Sequence, residues 1–173
     1  MRTLRVLYLA AEADPLVKVG GLGDVAGSLP RALQMLAGGA YTDVAVDIRL
    51  ALPFHTAIRK KVSSPELLFS YEVPAEGGAI EAQAFQVEVN GVRTYLISGE
   101  PIAEDAPVYS SDAEVDGLKY FFFSLAALEL VKKLGWQTDI LHANDWHTAL
   151  AVYALKLQKS ADPFFKATRS VLT

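Results

Sequence analysis

The chain has 173 residues, 51% hydrophobic and 21% charged, which is long enough to bury a core and too apolar for a disordered chain. It contains no cysteine, which excludes disulfide scaffolds, thiolate zinc sites and thiol nucleophiles. A formal net charge of −4 argues against a general nucleic-acid binder, which would be basic.

Residues 4–10 (LRVLYLA) form an apolar run of strand length, closed by Glu12, Asp14 and Pro15. Arg2 and Arg5 precede it as in a signal peptide, but the run is too short and acids follow at once, so a buried first strand is expected. Next come Lys18, Val19, Gly20, Gly21, Leu22, Gly23 and Asp24. Apolar residues at 25, 26, 29, 32, 33 and 36 then predict a helix over 25–36, with Asp24 as its cap, Pro30 in its early turns and Gly38-Gly39 as its stop. Residues 43–52 read as a second strand closed by Pro53. Residues 80–89 and 92–98 flank Asn90-Gly91, a strong signal for a type I′ hairpin. The apolar phase slips between Ala84 and Phe85, which predicts a bulge there. Residues 67–73 are a candidate third strand of this patch, and 100–112 read as a loop.

Residues 117–134 are apolar nearly all round, so a buried helix is expected, capped by Asp116 and stopped by Gly135. Residues 139–143 read as a short strand and 145–158 as a helix capped by Asn144 or Asp145. A further strand begins at 168. Strands alternating with helices around an antiparallel insertion predict an α/β fold: a Rossmann-like parallel sheet with an inserted antiparallel hairpin. An end inside an apolar strand is expected of part of a longer protein, which the intact mass of the natural product tests. The longest apolar stretch, 120–131, is broken by Ser124 and Glu129 and falls short of a membrane span, so no membrane partner is expected and the cytoplasm is the expected location.

Parallel α/β sheets bind ligands outside the carboxyl ends of their strands. Two loops with unusual residues fall there, 18–24 after the first strand and 142–147 (HANDWH) after the strand at 139–143. Parallel strands in one sheet would bring both loops to one crevice. Glycines at 20, 21 and 23 suit close backbone approach to a phosphate, with Lys18 as a point charge and a helix N-terminus behind. A tight strand-to-helix turn with a solvated lysine reads equally well. Asp24 caps the helix or sits beside the phosphate, where its own charge is unfavourable. His142 reads as a buried, hydrogen-bonded histidine and Trp146 as core. His147, in the first turn of a helix, is suited to act as a neutral donor to a substrate group, with Asp145 capping the helix or holding that ring. The His142–His147 spacing does not match a zinc helix, and no metal is expected. His55 reads as a surface residue. There is no GxSxG elbow and no identifiable pair of catalytic carboxylates.

Three stretches carry a family resemblance. Residues 10–25, with Lys18-Val19-Gly20-Gly21-Leu22, are similar to the N-terminal signature of bacterial glycogen synthases and plant starch synthases, where Val19 is usually threonine. Residues 50–55 and 141–148 are similar to two further signatures of that family. The resemblance implies a chain forming an incomplete N-terminal half of a two-domain, double-Rossmann (GT-B type) glycosyltransferase, with the C-terminal nucleotide-binding domain absent. The implied activity is retaining transfer of glucose from ADP-glucose, or UDP-glucose, to the non-reducing end of an α-1,4-glucan in glycogen synthesis. The implied partners are thus a nucleotide sugar and an α-glucan, with no cofactor. In that picture Lys18 and the backbone of Gly20 and Gly21, next to Asp24, face the donor's phosphates. His147 faces the glucosyl unit, and Asn144 and Asp145 shape its loop. The family usually carries Asp-Asn where this chain has Asp116-Gly117. Half the crevice is missing, so the isolated chain is expected to be inactive. A non-catalytic glucan- or nucleotide-binding fragment, or another sugar-nucleotide transferase of the same architecture, are the competing readings.

Overall fold

The computed structural model describes residues 2–36 and 43–173. Its elements run β1 (Arg2–Leu9), α1 (Gly21–Leu36), β2 (Val44–Pro53), α2 (Thr56–Arg59), β3 (Glu66–Ala75), β4 (Gly78–Val89) and β5 (Val92–Gly99). Then follow α3 (Ala113–Lys133), β6 (Ile140–Ala143), α4 (Trp146–Ala161), a 3-10 turn (Pro163–Phe165) and β7 (Arg169–Leu172). One seven-stranded sheet has the order β3-β4-β5-β2-β1-β6-β7. Strands β5, β2, β1, β6 and β7 are parallel to one another, while β3-β4 and β4-β5 are antiparallel. The inserted hairpin is therefore not a separate patch: β5 is at once its second strand and the outermost parallel strand.

Alternate residues of a strand face opposite sides of the sheet. In β1, Leu7 and Leu9 join a core with Phe122, Phe123 and Leu130 of α3 and Ala151 and Leu155 of α4. Val6 and Tyr8 point the other way, into a core with Ile48, Leu50 and Ala26, against which Leu29 and Leu33 of α1 pack. Both faces are covered at β1, as a central parallel strand requires, while the edge strand β7 is exposed.

The Asn90-Gly91 turn has φ of 52° and 75°, the two positive values a type I′ turn needs. The expected bulge in β4 is absent: its pairing with β5 is regular from Ala82 to Val89. Ala82 and Ala84 belong to the α3 core, whereas Phe85 and Val87 pack on the α1 core. The phase slips because β4 is covered on a different face in each half. An irregularity does occur opposite, in β3 between Leu67 and Phe69.

Two helices begin earlier than their apolar periodicity suggests. α1 starts at Gly21, so Asp24 lies inside its first turn and is not its cap. α3 starts at Ala113, capped by Asp112, whose carboxylate accepts from the Glu114 N–H at 2.9 Å. Asp116 is buried within that helix and does not cap it. The expected Gly38-Gly39 stop lies outside the described residues. Gly135, at φ 60°, follows the end of α3 as expected. No described helix is long and apolar enough to cross a membrane.

Candidate active site

Parallel pairing sets Tyr8 opposite His142 and Leu9 opposite Ala143. The loops leaving β1 and β6 therefore start side by side at the carboxyl edge of the sheet, as the order of elements predicts. Asn144 ties them together. Its amide donates to the Leu9 carbonyl at 2.8 Å, and its Oδ1 accepts from the Tyr8 hydroxyl at 2.9 Å and the Thr173 hydroxyl at 2.9 Å. With every polar atom used and the side chain buried, Asn144 is a brace of the crevice floor. Burial pushes the Tyr8 phenol up to about 12, so it stays a donor.

Glu12, which the sequence reading passed over, organises the glycine loop. Its carboxylate is buried and accepts from the Val19 N–H, from the Gly20 N–H at 3.1 Å and from the Tyr109 hydroxyl at 3.0 Å. A carboxylate on successive backbone N–H groups is an anion in a nest. Gly20 thus spends its N–H on the protein itself, while Gly21 opens α1, where the first N–H groups of a helix have no acceptor inside it. Gly23 sits close: a Cβ there would come within 3.1 Å of both Glu12 and Lys18.

Lys18 and Asp24 form an exposed ion pair at 2.6 Å. The Asp24 carboxylate holds the Lys18 ammonium above its ordinary pKa. The lysine is charged and faces solvent at the loop, and Asp24 restrains it. At such exposure the pair adds little stability, so its contribution is to place charge.

His147 lies one residue into α4 and is buried within an aromatic cluster. Its ring centroid is 4.9 Å from Tyr109, 4.7 Å from Tyr120 and 4.1 Å from Trp146. Burial lowers its pKa, against the opposing pull of Asp145, Asp116 and Glu12. A neutral imidazole offers one N–H donor and one acceptor. Its buried Nδ1 has no hydrogen-bond partner among the described residues. Asp145 caps α4, accepting from the Trp146 N–H at 2.6 Å, with its own backbone at φ 61° and ψ 179°. That region is strained for any residue but glycine, and strain of this kind clusters at functional sites.

Tyr109 joins the two halves. It lies in the loop between β5 and α3, bonds to Glu12 with its hydroxyl and stacks on His147 with its ring. The loop is pinned from within. The buried Lys119 ammonium donates to the Pro107 and Val108 carbonyls, each at 2.8 Å, and to Asp116 at 2.7 Å, while Asp116 accepts from the Ser110 N–H. Tyr120 adds a bond from its hydroxyl to the Val108 carbonyl. Sequence order hides Tyr109, because neither neighbouring residue is unusual and its loop has no periodicity.

Three single-residue expectations change. Trp146 is 56% exposed, a flat wall of the site and not core. His55 is buried and not at the surface, with Nε2 at 3.0 Å from the Ala11 carbonyl. Asp116 is a buried ion-pair partner. His142 is buried and hydrogen-bonded, as expected, 3.1 Å from the Thr173 hydroxyl and edge-on to Tyr8. Among the described residues, no group of three or more His, Asp or Glu is disposed to hold a metal ion.

Known proteins are similar to this chain in sequence and in fold. The sequence profile of the starch synthase catalytic domain matches residues 5–173. The glycogen synthase of Photobacterium profundum is 32% identical over 178 residues, covering 98% of this chain and 33% of its own length. That of Clostridium perfringens is 33% identical over 172 residues, with 98% and 33% covered. Among solved structures, the catalytic domain of Starch Synthase IV from Arabidopsis thaliana, bound to ADP and acarbose, superimposes with a TM-score of 0.82 at 27% identity, covering 98% of this chain and 33% of that one. The chain spans about a third of the length of the curated relatives it matches.

Proposed function

Since the chain belongs to the starch synthase catalytic-domain family, we propose that it supplies the N-terminal wall of a glucan synthase active site. The reaction is retaining transfer of glucose from a nucleotide-activated donor, ADP-glucose, to the non-reducing end of an α-1,4-glucan in the cytoplasm. The observation that carries this reading is the joining of the glycine loop to His147 through Glu12 and Tyr109. That the Arabidopsis relative is bound to ADP and acarbose supports a nucleotide and a glucan as ligands.

The reaction breaks the bond between the glucosyl carbon and the diphosphate, so negative charge grows on the leaving group. In this reading Lys18 and the N–H groups of Gly21 and Leu22, which precede the first bonded N–H of α1 at Gly23, meet that charge. Fixed donors aimed at developing charge contribute roughly 3–4 kcal/mol each in other enzymes. Gly20 acts differently from the expectation, through its bond to Glu12, which sets the shape of the loop. Asp24 steers the Lys18 side chain. Burial keeps His147 neutral at physiological pH, so its ring donates a hydrogen bond to a hydroxyl of the transferring glucosyl unit without adding a second positive charge. Asn144 and Asp145 hold the loop that presents it.

Lys18 tests the reading because it is exposed, so its replacement leaves the core intact. In the natural product that carries this chain, Lys18→Ala is expected to raise the donor KM or lower kcat at least tenfold, with an unchanged thermal midpoint. A tenfold loss corresponds to about 1.4 kcal/mol of transition-state stabilisation. Unchanged kinetics would remove Lys18 from the mechanism. Absence of glucan extension from any nucleotide glucose would overturn the reading altogether.

A further inference from the structure

Charge is distributed very unevenly along this chain. Residues 62–118 hold eleven acidic side chains and one basic one, Arg93, a balance of −10, whereas the remaining residues hold fifteen basic and nine acidic, a balance of +6. The acidic segment comprises β3, β4, β5 and the start of α3. Such asymmetry points to a charged partner.

The same segment carries an apolar groove of about 680 Å³. One wall is the N-terminal half of α3, where Val115, Leu118 and Phe121 are 48%, 61% and 49% exposed. The opposite wall is the end of the β3-β4 hairpin, with Val73 and Ile80, and Pro101 lies in the loop that closes it. Three large apolar side chains one helical turn apart form a stripe of the kind that normally packs on another element. The groove is rimmed by Glu76, Glu100 and Asp105. Among the described residues, Lys119 is the only basic side chain in its wall, and its ammonium is consumed by Asp116 and two carbonyls.

We propose that this groove docks a basic amphipathic helix of a partner protein, its apolar face on Val115, Leu118 and Phe121 and its Lys or Arg residues against the acidic rim. Helices enter such grooves through anchors spaced three, four and seven residues apart, and complementary rim charge sets the partner choice. The acidic rim disfavours an anionic membrane, a nucleic acid and the same face of a second copy, all of which carry like charge. None of these residues lines the crevice between the glycine loop and His147, so the inference stands apart from the glucosyl-transfer reading.

The probe is a fluorescent 18-residue Leu/Lys helical peptide, titrated against the whole chain, beside a counterpart with Glu in place of every Lys. The basic peptide is expected to bind saturably and the acidic one not to bind. Leu118→Ser with Phe121→Ser should weaken binding at least tenfold with the helical circular dichroism retained, since both side chains are exposed. Glu100→Gln with Asp105→Asn should weaken it at least threefold and reduce its salt dependence. The proposal is overturned by absence of saturation at about 1 mM peptide, by equal binding of the two peptides, or by binding that the Leu118/Phe121 variant leaves unchanged. It is equally overturned if that variant abolishes binding of maltoheptaose or self-association of the chain while peptide binding persists.

Discussion

His55 shows how much one buried side chain can shape the pH response. It follows β2, where Pro53 and Phe54 leave no periodicity to betray its burial, yet it is fully enclosed and bonds to the Ala11 carbonyl beside Glu12. Burial, with help from the Lys119 ammonium, lowers its pKa to about 4 against the pull of the Ala11 carbonyl and Asp116. The folded chain therefore refuses a proton that the unfolded chain accepts between pH 6.5 and about 4. Stability from this group is complete above pH 6.5 and is lost as the pH falls through that window, by about 3 kcal/mol in all. Replacing His55 with Phe removes the titrating group, so the stability difference between wild type and variant is expected to shift against the wild type as pH falls from 6.5 to 4. Urea unfolding at a series of pH values checks it, and parallel curves for the two proteins would refute the burial argument. Proton NMR separates the three histidines and should place the His142 and His147 midpoints below 6.5 as well.

At the scale of elements, packing decides where helices begin and which glycines are needed. Gly27, in the middle of α1, lies against the backbone of the β1–α1 loop: a Cβ there would meet the Asp14 carbonyl oxygen at 2.3 Å. Gly117, in α3, has open space around it. Replacing a helical glycine by alanine normally gains about 0.5–1 kcal/mol. Gly117→Ala should show that gain, whereas Gly27→Ala should lose about 1–3 kcal/mol, because backbone cannot move aside as a side-chain tip can. Equal effects at the two positions in denaturant unfolding would contradict the packing. The Lys119 anchor obeys a different rule. Lys119→Met strands the buried Asp116 carboxylate and two carbonyls, at a cost of about 3–5 kcal/mol, and adding Asp116→Asn should recover part of it, since the uncompensated charge is then gone. A Lys119→Met protein as stable as wild type would show that the pair holds nothing. The order and type of α1 and α3 were legible in the sequence because their periodicity is strong, whereas the four-residue α2 and the 3-10 turn are too short to show any. The starts of α1 and α3 were not legible: Gly21-Leu22-Gly23 follows a loop that Glu12 holds through the Val19 and Gly20 N–H groups, and residues 113–116 are capped by Asp112 and carry Asp116, which pairs with Lys119.

Over the whole molecule, parallel pairing of β1 with β6 brings to one sheet edge the candidate site residues, which lie more than a hundred positions apart in sequence. That much follows from the order of strands and the rule that ligands bind at their carboxyl ends. The glycine loop and His147 could be read as candidates because glycines and a histidine are conspicuous residues at conspicuous places. Glu12 and Tyr109, which connect them, are ordinary residues in unpatterned stretches, and only the fold gives them meaning. The connection makes a kinetic prediction for the natural product. His147→Ala leaves the bonds of Glu12 to the glycine loop and to Tyr109 in place, so the donor KM should change less than kcat, which falls about a hundredfold if the imidazole bonds to the glucosyl unit as it transfers. Tyr109→Phe keeps the ring against His147 and loses only the bond to Glu12, so its effect should fall on the loop and appear mainly in donor KM. Opposite signatures in these two variants, read from one set of initial-rate curves, separate the two halves of the crevice. A pure KM effect in His147→Ala would instead place that ring in ground-state binding, away from the reacting centre.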